Sequence, residues 1–123
     1  MTSSTRGSPR SGRAPGRGAT LVPIITIYAS IGNSDDRLPQ QQWSVYAQSF
    51  VTTIQRHVGP HWLPGGVHGE WYSLSNAPWQ NACVCFEATA DQARLIRADL
   101  EELRTLHDQD SVAWAEVTRT EFI

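Results

Sequence analysis

The alternation of β-type segments with two helical stripes is the feature that most constrains the fold of this chain. The first stripe follows Pro39 and consists of Trp43, Tyr46, Ala47, Phe50, Val51, Ile54 and Val58. Its spacing places apolar side chains along one side of four helical turns, and a proline suits the first turn of a helix. The second stripe consists of Ala93, Ile96, Leu100 and Leu103. Thr89 and Gln92 precede it at the spacing of a capping box, which predicts where that helix begins.

Four segments rich in β-branched and aromatic residues surround these stripes, at residues 21–31, 67–74, 82–88 and 112–122. The resulting order is β-α-β-β-α-β, which is the split pattern of ferredoxin-like folds. We therefore predict an α+β domain with a four-stranded antiparallel sheet of order 4-1-3-2. Both helices are expected on one face of this sheet. The opposite surface, which points away from the helices, is called the open face below.

Strand alternation assigns each side chain to one of the two faces. The side chains expected to face the helices are Ile25, Ile27, Ala29, Ile31, Val67, Gly69, Trp71, Val84, Phe86, Ala88, Ala113, Ala115 and Val117. Those expected on the open face include Tyr28, His68, Glu70, Tyr72, Cys83, Cys85, Glu87, Trp114 and Glu116. This mixture of aromatics, thiols and carboxylates is unusual for a surface that meets only water, and it predicts that something covers the open face.

Residues 1–19 differ in composition from residues 20–123, which we expect to form a single domain. The segment is built from Ser, Thr, Gly, Pro, Ala and Arg and has no large apolar side chain after Met1, so we expect a disordered tail. Its four arginines leave six basic against 12 acidic residues in the rest of the chain, a formal charge of −6. An acidic domain makes nucleic acid an unexpected partner, because phosphate binding needs clustered positive charge.

The sequence contains no signature of a metal centre, a cofactor or a membrane span. Cys83 and Cys85 lack the C-x-x-C spacing of a zinc site, and their separation in a strand, about 6–7 Å, disfavours a mutual disulfide. With no export signal, reduced thiols in the cytoplasm are the simpler expectation. No apolar run approaches the roughly 18 residues of a membrane helix. We expect no cofactor and no metal.

The first candidate site is the open face. Tyr28, Trp114 and Glu116 would contact a protein partner there, or a second copy of the chain. If the surface closes into a cavity instead, proton transfer is the alternative, and His68, Glu70 and Tyr72 are the candidate catalytic residues. The alternative for each His or Glu is an ordinary solvated strand residue.

The second candidate site lies where three connections meet at one end of the predicted sheet, at residues 32–37, 75–81 and 107–111. The residues expected to bind a partner at this loop end are Asn33, Asp35, Asp36, Trp79, Asn81 and Asp110. Carboxylates around a tryptophan suit a basic protein partner. The alternative is structural, since Asn, Ser and Asp also form turns and helix caps.

Three functions remain open at this point. The first is a small acidic binding protein without catalysis, since immunity proteins and inhibitors encoded by phages or mobile elements share its size and acidity. The second is a homodimeric α+β-barrel enzyme of the cofactor-independent monooxygenase type. The third and weakest is an RNA-binding sheet domain, which the acidic charge opposes.

Overall fold

A computed structural model describes residues 22–33, 37–60, 63–74, 76–77 and 80–123 of the chain. Its elements are β1 (Ile24–Gly32), α1 (Gln40–Val58), β2 (Val67–Tyr72), β3 (Asn81–Thr89), α2 (Ala90–Leu106) and β4 (Ala113–Glu116). The predicted α+β class, with four antiparallel strands and two helices, is confirmed. The predicted tail at residues 1–19 lies outside the described residues. None of the helices described is long and apolar enough to cross a membrane.

The four strands form one sheet in the order β2-β3-β1-β4, and all neighbours are antiparallel. The central strands β1 and β3 pair along their whole length, from Ile24 with Thr89 to Gly32 with Asn81. The edge strands β2 and β4 are shorter, with six and four residues. Each of them has a single neighbour in the sheet, so pairing constrains the orientation of its side chains from one side only.

Both helices pack on the same face of the sheet, because their apolar stripes share one core with the alternate residues of β1 and β3. The sheet contributes Ile27, Ala29, Ile31, Val67, Ala82, Val84, Phe86 and Ala88 to this core. The helices contribute Trp43, Tyr46, Ala47, Phe50, Val51, Ile54, Ala93, Ile96 and Leu100. The predicted faces of β1 and β3 are therefore correct, and the core leaves the other side of the sheet free of helices.

Local signals in the sequence set the helix boundaries. The predicted capping box at the start of α2 is present: the Thr89 hydroxyl accepts a hydrogen bond from the Gln92 backbone N–H at 3.1 Å, and the Gln92 side chain accepts one from the Thr89 backbone N–H at 2.9 Å. Helix α1 begins directly after Pro39 and ends at Val58, and it is followed by Gly59, whose φ of 95° is readily adopted only by glycine.

A β-bulge in β2 makes part of the face prediction wrong. Val67 pairs with Phe86, but the next pair is Gly69 with Cys85, so one extra residue of β2 is inserted at this point. The insertion reverses the alternation for the rest of the strand. Gly69 and Trp71 lie on the open face rather than against the helices. Glu70 and Tyr72, which pair with Val84 and Ala82, lie on the helix side rather than the open face.

The register of β4 also corrects the prediction. Trp114 pairs with Ala29 and Glu116 pairs with Ile27, and both partners belong to the core, so these two side chains lie on the helix side. Ala113 and Ala115 therefore lie on the open face. The physical reason is the size of the indole: Trp114 packs edge-on against Phe86, with ring centroids 5.9 Å apart, and the Arg97 guanidinium of α2 lies 5.4 Å from its ring centroid.

Candidate functional site

The central part of the observed open face is a grid of two rows, each with one aromatic side chain and three small residues. Antiparallel partners point to the same side of a sheet, so the registers define its rows from β4 to β2. One row contains Ala115, Tyr28, Cys85 and Gly69, and the next contains Ala113, Ser30, Cys83 and Trp71. Tyr28 and Trp71 are 42% and 54% exposed, and they are the aromatic residues of these rows.

The two aromatic side chains shape the surface around them. Trp71 lies over the backbone of Gly69, since a Cβ atom at Gly69 would be 3.2 Å from Cη2 of the indole. The neighbouring Cys85 thiol raises the pKa of Tyr28 above its usual value of 10.0, first through hydrogen bonding and then through its Coulombic effect. Cys85 is only 6% exposed, although it points away from the core. Both cysteines are free thiols.

Charge is scarce on this surface. His68 and Glu87 form the ionisable pair of the open face, with 3.5 Å between Nε2 and Oε1, and both side chains are about half exposed. No described strand position on the open face carries an arginine. The surface therefore carries little charge, and this pair lies next to Thr26, the β1 partner of Glu87.

The three residues predicted for catalysis do not lie together. His68 is on the open face beside Glu87. Glu70 lies on the helix side, where it accepts hydrogen bonds from the Gln55 amide of α1 at 2.9 Å and from the Tyr72 hydroxyl at 3.4 Å. Burial, followed by the charge of Glu70, raises the pKa of Tyr72. The sheet separates His68 from the other two residues.

At the loop end, Asn33 has a structural role. It is 4% exposed, its side chain donates to the Leu38 carbonyl at 2.8 Å, and its Oδ1 accepts from the Leu38 N–H at 3.0 Å. Its backbone N–H donates to the Gln80 carbonyl at 2.8 Å, which ties the loop after β1 to the residue before β3. The turn interpretation therefore accounts for Asn33.

Asp110 joins two of the connections at the same end. The Arg37 guanidinium donates to both carboxylate oxygens of Asp110, at 3.2 and 3.1 Å, and to the Asp108 carbonyl at 2.9 Å. Asn81 is exposed at the start of β3, and its backbone N–H donates to the Ser73 hydroxyl at 2.9 Å. The predicted convergence of the three connections is thus visible in these contacts. Asp35, Asp36 and Trp79 lie outside the described residues.

Sequence reasoning missed several residues that shape the open face, above all Trp71, Ala113 and Ala115. One signal could have located Trp71: a glycine inside a strand pattern often marks a bulge, and Gly69 is such a residue. It also missed Arg37 as the partner of Asp110, because the pairing joins residues 73 positions apart.

In the part of the chain that the structure describes, no group of three or more His, Cys, Asp and Glu residues is placed to hold a metal ion. No protein-family model matches the sequence, and no curated protein is significantly similar to it.

Proposed function

We propose that this protein is a small, non-catalytic protein-binding domain and that the open face is its binding surface. The observation that carries the proposal is the exposure of Tyr28 and Trp71 on a sheet face that bears small side chains and a single ion pair. Contiguous exposed apolar surface is a mark of interaction sites, and aromatic side chains are the usual anchors of protein interfaces. No described segment packs on this face.

The fold supports this assignment. Read from the β4 edge, the observed strand order is 4-1-3-2, and we propose on this basis that the domain is of the ferredoxin-like split type. In such a domain the helices protect one face of the sheet, and the other face is available along the full length of the two central strands. Binding through the sheet then requires no rearrangement of the core.

The alternatives have less support. The catalytic set proposed for a barrel enzyme is divided between the two sides of the sheet, with His68 on one side and Glu70 and Tyr72 on the other. An RNA-binding sheet would need positive charge near its exposed aromatics, and the described positions of the open face bear no arginine. Both facts favour a protein as the ligand of this surface.

Site-specific photo-crosslinking of the full-length chain in its own cells tests the proposal. Ala115, in the middle of β4 on the open face, is replaced by benzoylphenylalanine, and the matched control carries the same replacement at Ala98, which is exposed on α2. We expect a protein adduct from position 115 and none from position 98. Equal yields at the two positions, or no adduct from position 115, would refute the proposal.

A further inference from the structure

We infer that the protein bound by the open face is a second copy of this chain, so that two sheets stack face to face in a symmetric dimer. The inference rests on the proposed function, since it names the occupant of the same surface. Three features of the described residues support it: the distribution of charge, the positions of large and small side chains, and the size of the face.

The distribution of charge favours a copy of the chain over a charged partner. Residues 20–123 carry a formal charge of −6, so two copies repel each other wherever their acidic groups meet. On the described strands, the open face carries only one carboxylate, Glu87, and His68 pairs with it. The open face is therefore a surface on which two acidic domains can approach closely. A basic partner, by contrast, would find little charge here to recognise.

The grid of side chains is complementary to itself. Consider a two-fold axis that runs parallel to the strands and midway between two stacked sheets. Because the strand order is β2-β3-β1-β4, this rotation places β2 over β4 and β3 over β1 and keeps each row opposite itself. Trp71 then lies opposite Ala113, and Tyr28 lies opposite Cys85. Each large side chain meets a small one, as an isologous contact requires.

The remaining positions of these rows fit the same arrangement. Gly69 meets Ala115, and Ser30 meets Cys83, so no two bulky groups collide. Aligned sheets pack about 10 Å apart, with their strands rotated by about 30° because of the sheet twist. That distance is enough for an indole that faces a methyl group and for a phenol ring that faces a thiol.

The size of the face indicates a dimer of moderate strength. The four strands hold 28 residues. At about 3.3 Å per residue and about 4.8 Å between strands, they cover about 450 Å² in projection. Two copies would bury at least about 900 Å², close to the roughly 1,000 Å² that marks a specific interface. We therefore expect an association that depends on concentration in the micromolar range.

Light scattering after size exclusion measures the mass of the full-length chain directly. At about 200 µM, well above a micromolar Kd, we expect twice the chain mass of 13.7 kDa. Ala113→Arg places a charge opposite Trp71 and should return the mass to that of one chain. Ala98→Arg, the same change on the exposed side of α2, should leave the dimer intact. Ala115→Arg is a second variant, and circular dichroism verifies that each variant is folded.

The outcomes separate this inference from the proposed function. A dimer that both open-face arginines disrupt supports the inference. A dimer that neither of them disrupts uses another surface and overturns it. A monomeric wild-type chain also overturns it; the proposed function then stands if position 115 crosslinks to a different protein. Both fail if position 115 crosslinks only within its own chain, for example to residues 1–21, or not at all.

Discussion

Tyr46 in α1 offers a sharp test of how the core is built. Its side chain is 1% exposed, and its hydroxyl has no hydrogen-bond partner among the described residues. The ring itself is well packed: its centroid lies 4.8 Å from that of His107 and 6.3 Å from that of Trp43. A buried hydroxyl that lost its water on folding and gained no partner lowers stability. Tyr46→Phe removes this oxygen and keeps the ring.

We expect Tyr46→Phe to raise the free energy of unfolding at pH 7 by about 1 kcal/mol, the lower end of the penalty for an unsatisfied polar group. The gain is at the lower end because the vacated space leaves the neighbouring rings with slightly fewer contacts. Tyr72→Phe is the matched control. The hydroxyl of Tyr72 donates to Glu70 at a partly exposed site, so we expect a change below about 0.5 kcal/mol.

The same hydroxyl makes stability depend on pH. Burial raises the pKa of Tyr46 from 10.0 to about 12, although the charge of Arg104 counteracts part of the effect. Between these values the unfolded chain loses the phenol proton while the folded chain keeps it. Ionisation therefore favours the unfolded state, and stability falls as the pH rises above 10. At pH 11 the loss from Tyr46 is about 1.4 kcal/mol, and Tyr46→Phe does not suffer it.

Urea denaturation followed by circular dichroism, at pH 7 and at pH 11, measures both effects. The chain contains no lysine, so no lysine titrates in this window, and the other tyrosines and the cysteines are common to the two proteins and cancel in their difference. The advantage of Tyr46→Phe should grow by about 1.4 kcal/mol between the two pH values. A loss of stability at pH 7, or a constant difference, would refute the claim of a buried hydroxyl without a partner.

Two further changes test local structure. Thr89→Ala removes the acceptor of the Gln92 N–H at the start of α2 and should cost about 1 kcal/mol, whereas Thr89→Ser should retain most of that stability in the same urea titration. Gly66→Ala would put a Cβ atom 2.1 Å from the Pro60 carbonyl oxygen and should cost about 2–3 kcal/mol. At Gly65, where φ is +77° but no atom lies within 4 Å, the same change should cost only about 1 kcal/mol, and equal losses would contradict this account.

The helices were predictable because their sequence signals are local. The two central strands were predictable because each has a long alternating run and a paired strand on both sides. The α2 start follows from Thr89 and Gln92, which are three residues apart and bond to each other's backbone and side chain. The faces of β1 and β3 follow from long alternating runs such as Ile27, Ala29 and Ile31, where a shift of one residue would bury polar groups throughout the strand.

The edge strands were not predictable in this way. In β4, the alternating residues Ala113, Ala115 and Val117 are as plausible a core-facing set as Trp114 is. Which of them faces the core depends on whether α2 offers a place for the indole. In β2, the bulge at Gly69 depends on pairing with β3, which lies beyond the following loop. Both errors concern the open face, so the candidate site was predicted as a surface but not in its composition.

Hydrophobic periodicity and capping were enough to specify which segments become helices or strands and which side of the long strands meets the core, because those preferences act between residues close in sequence. Long-range packing determined which aromatic side chains lie on the open face: Tyr28 and Trp71 do, and Trp114 does not. A short edge strand has one neighbour and few residues. The burial of a single large side chain therefore outweighs the face preference set by the alternating residues of that strand.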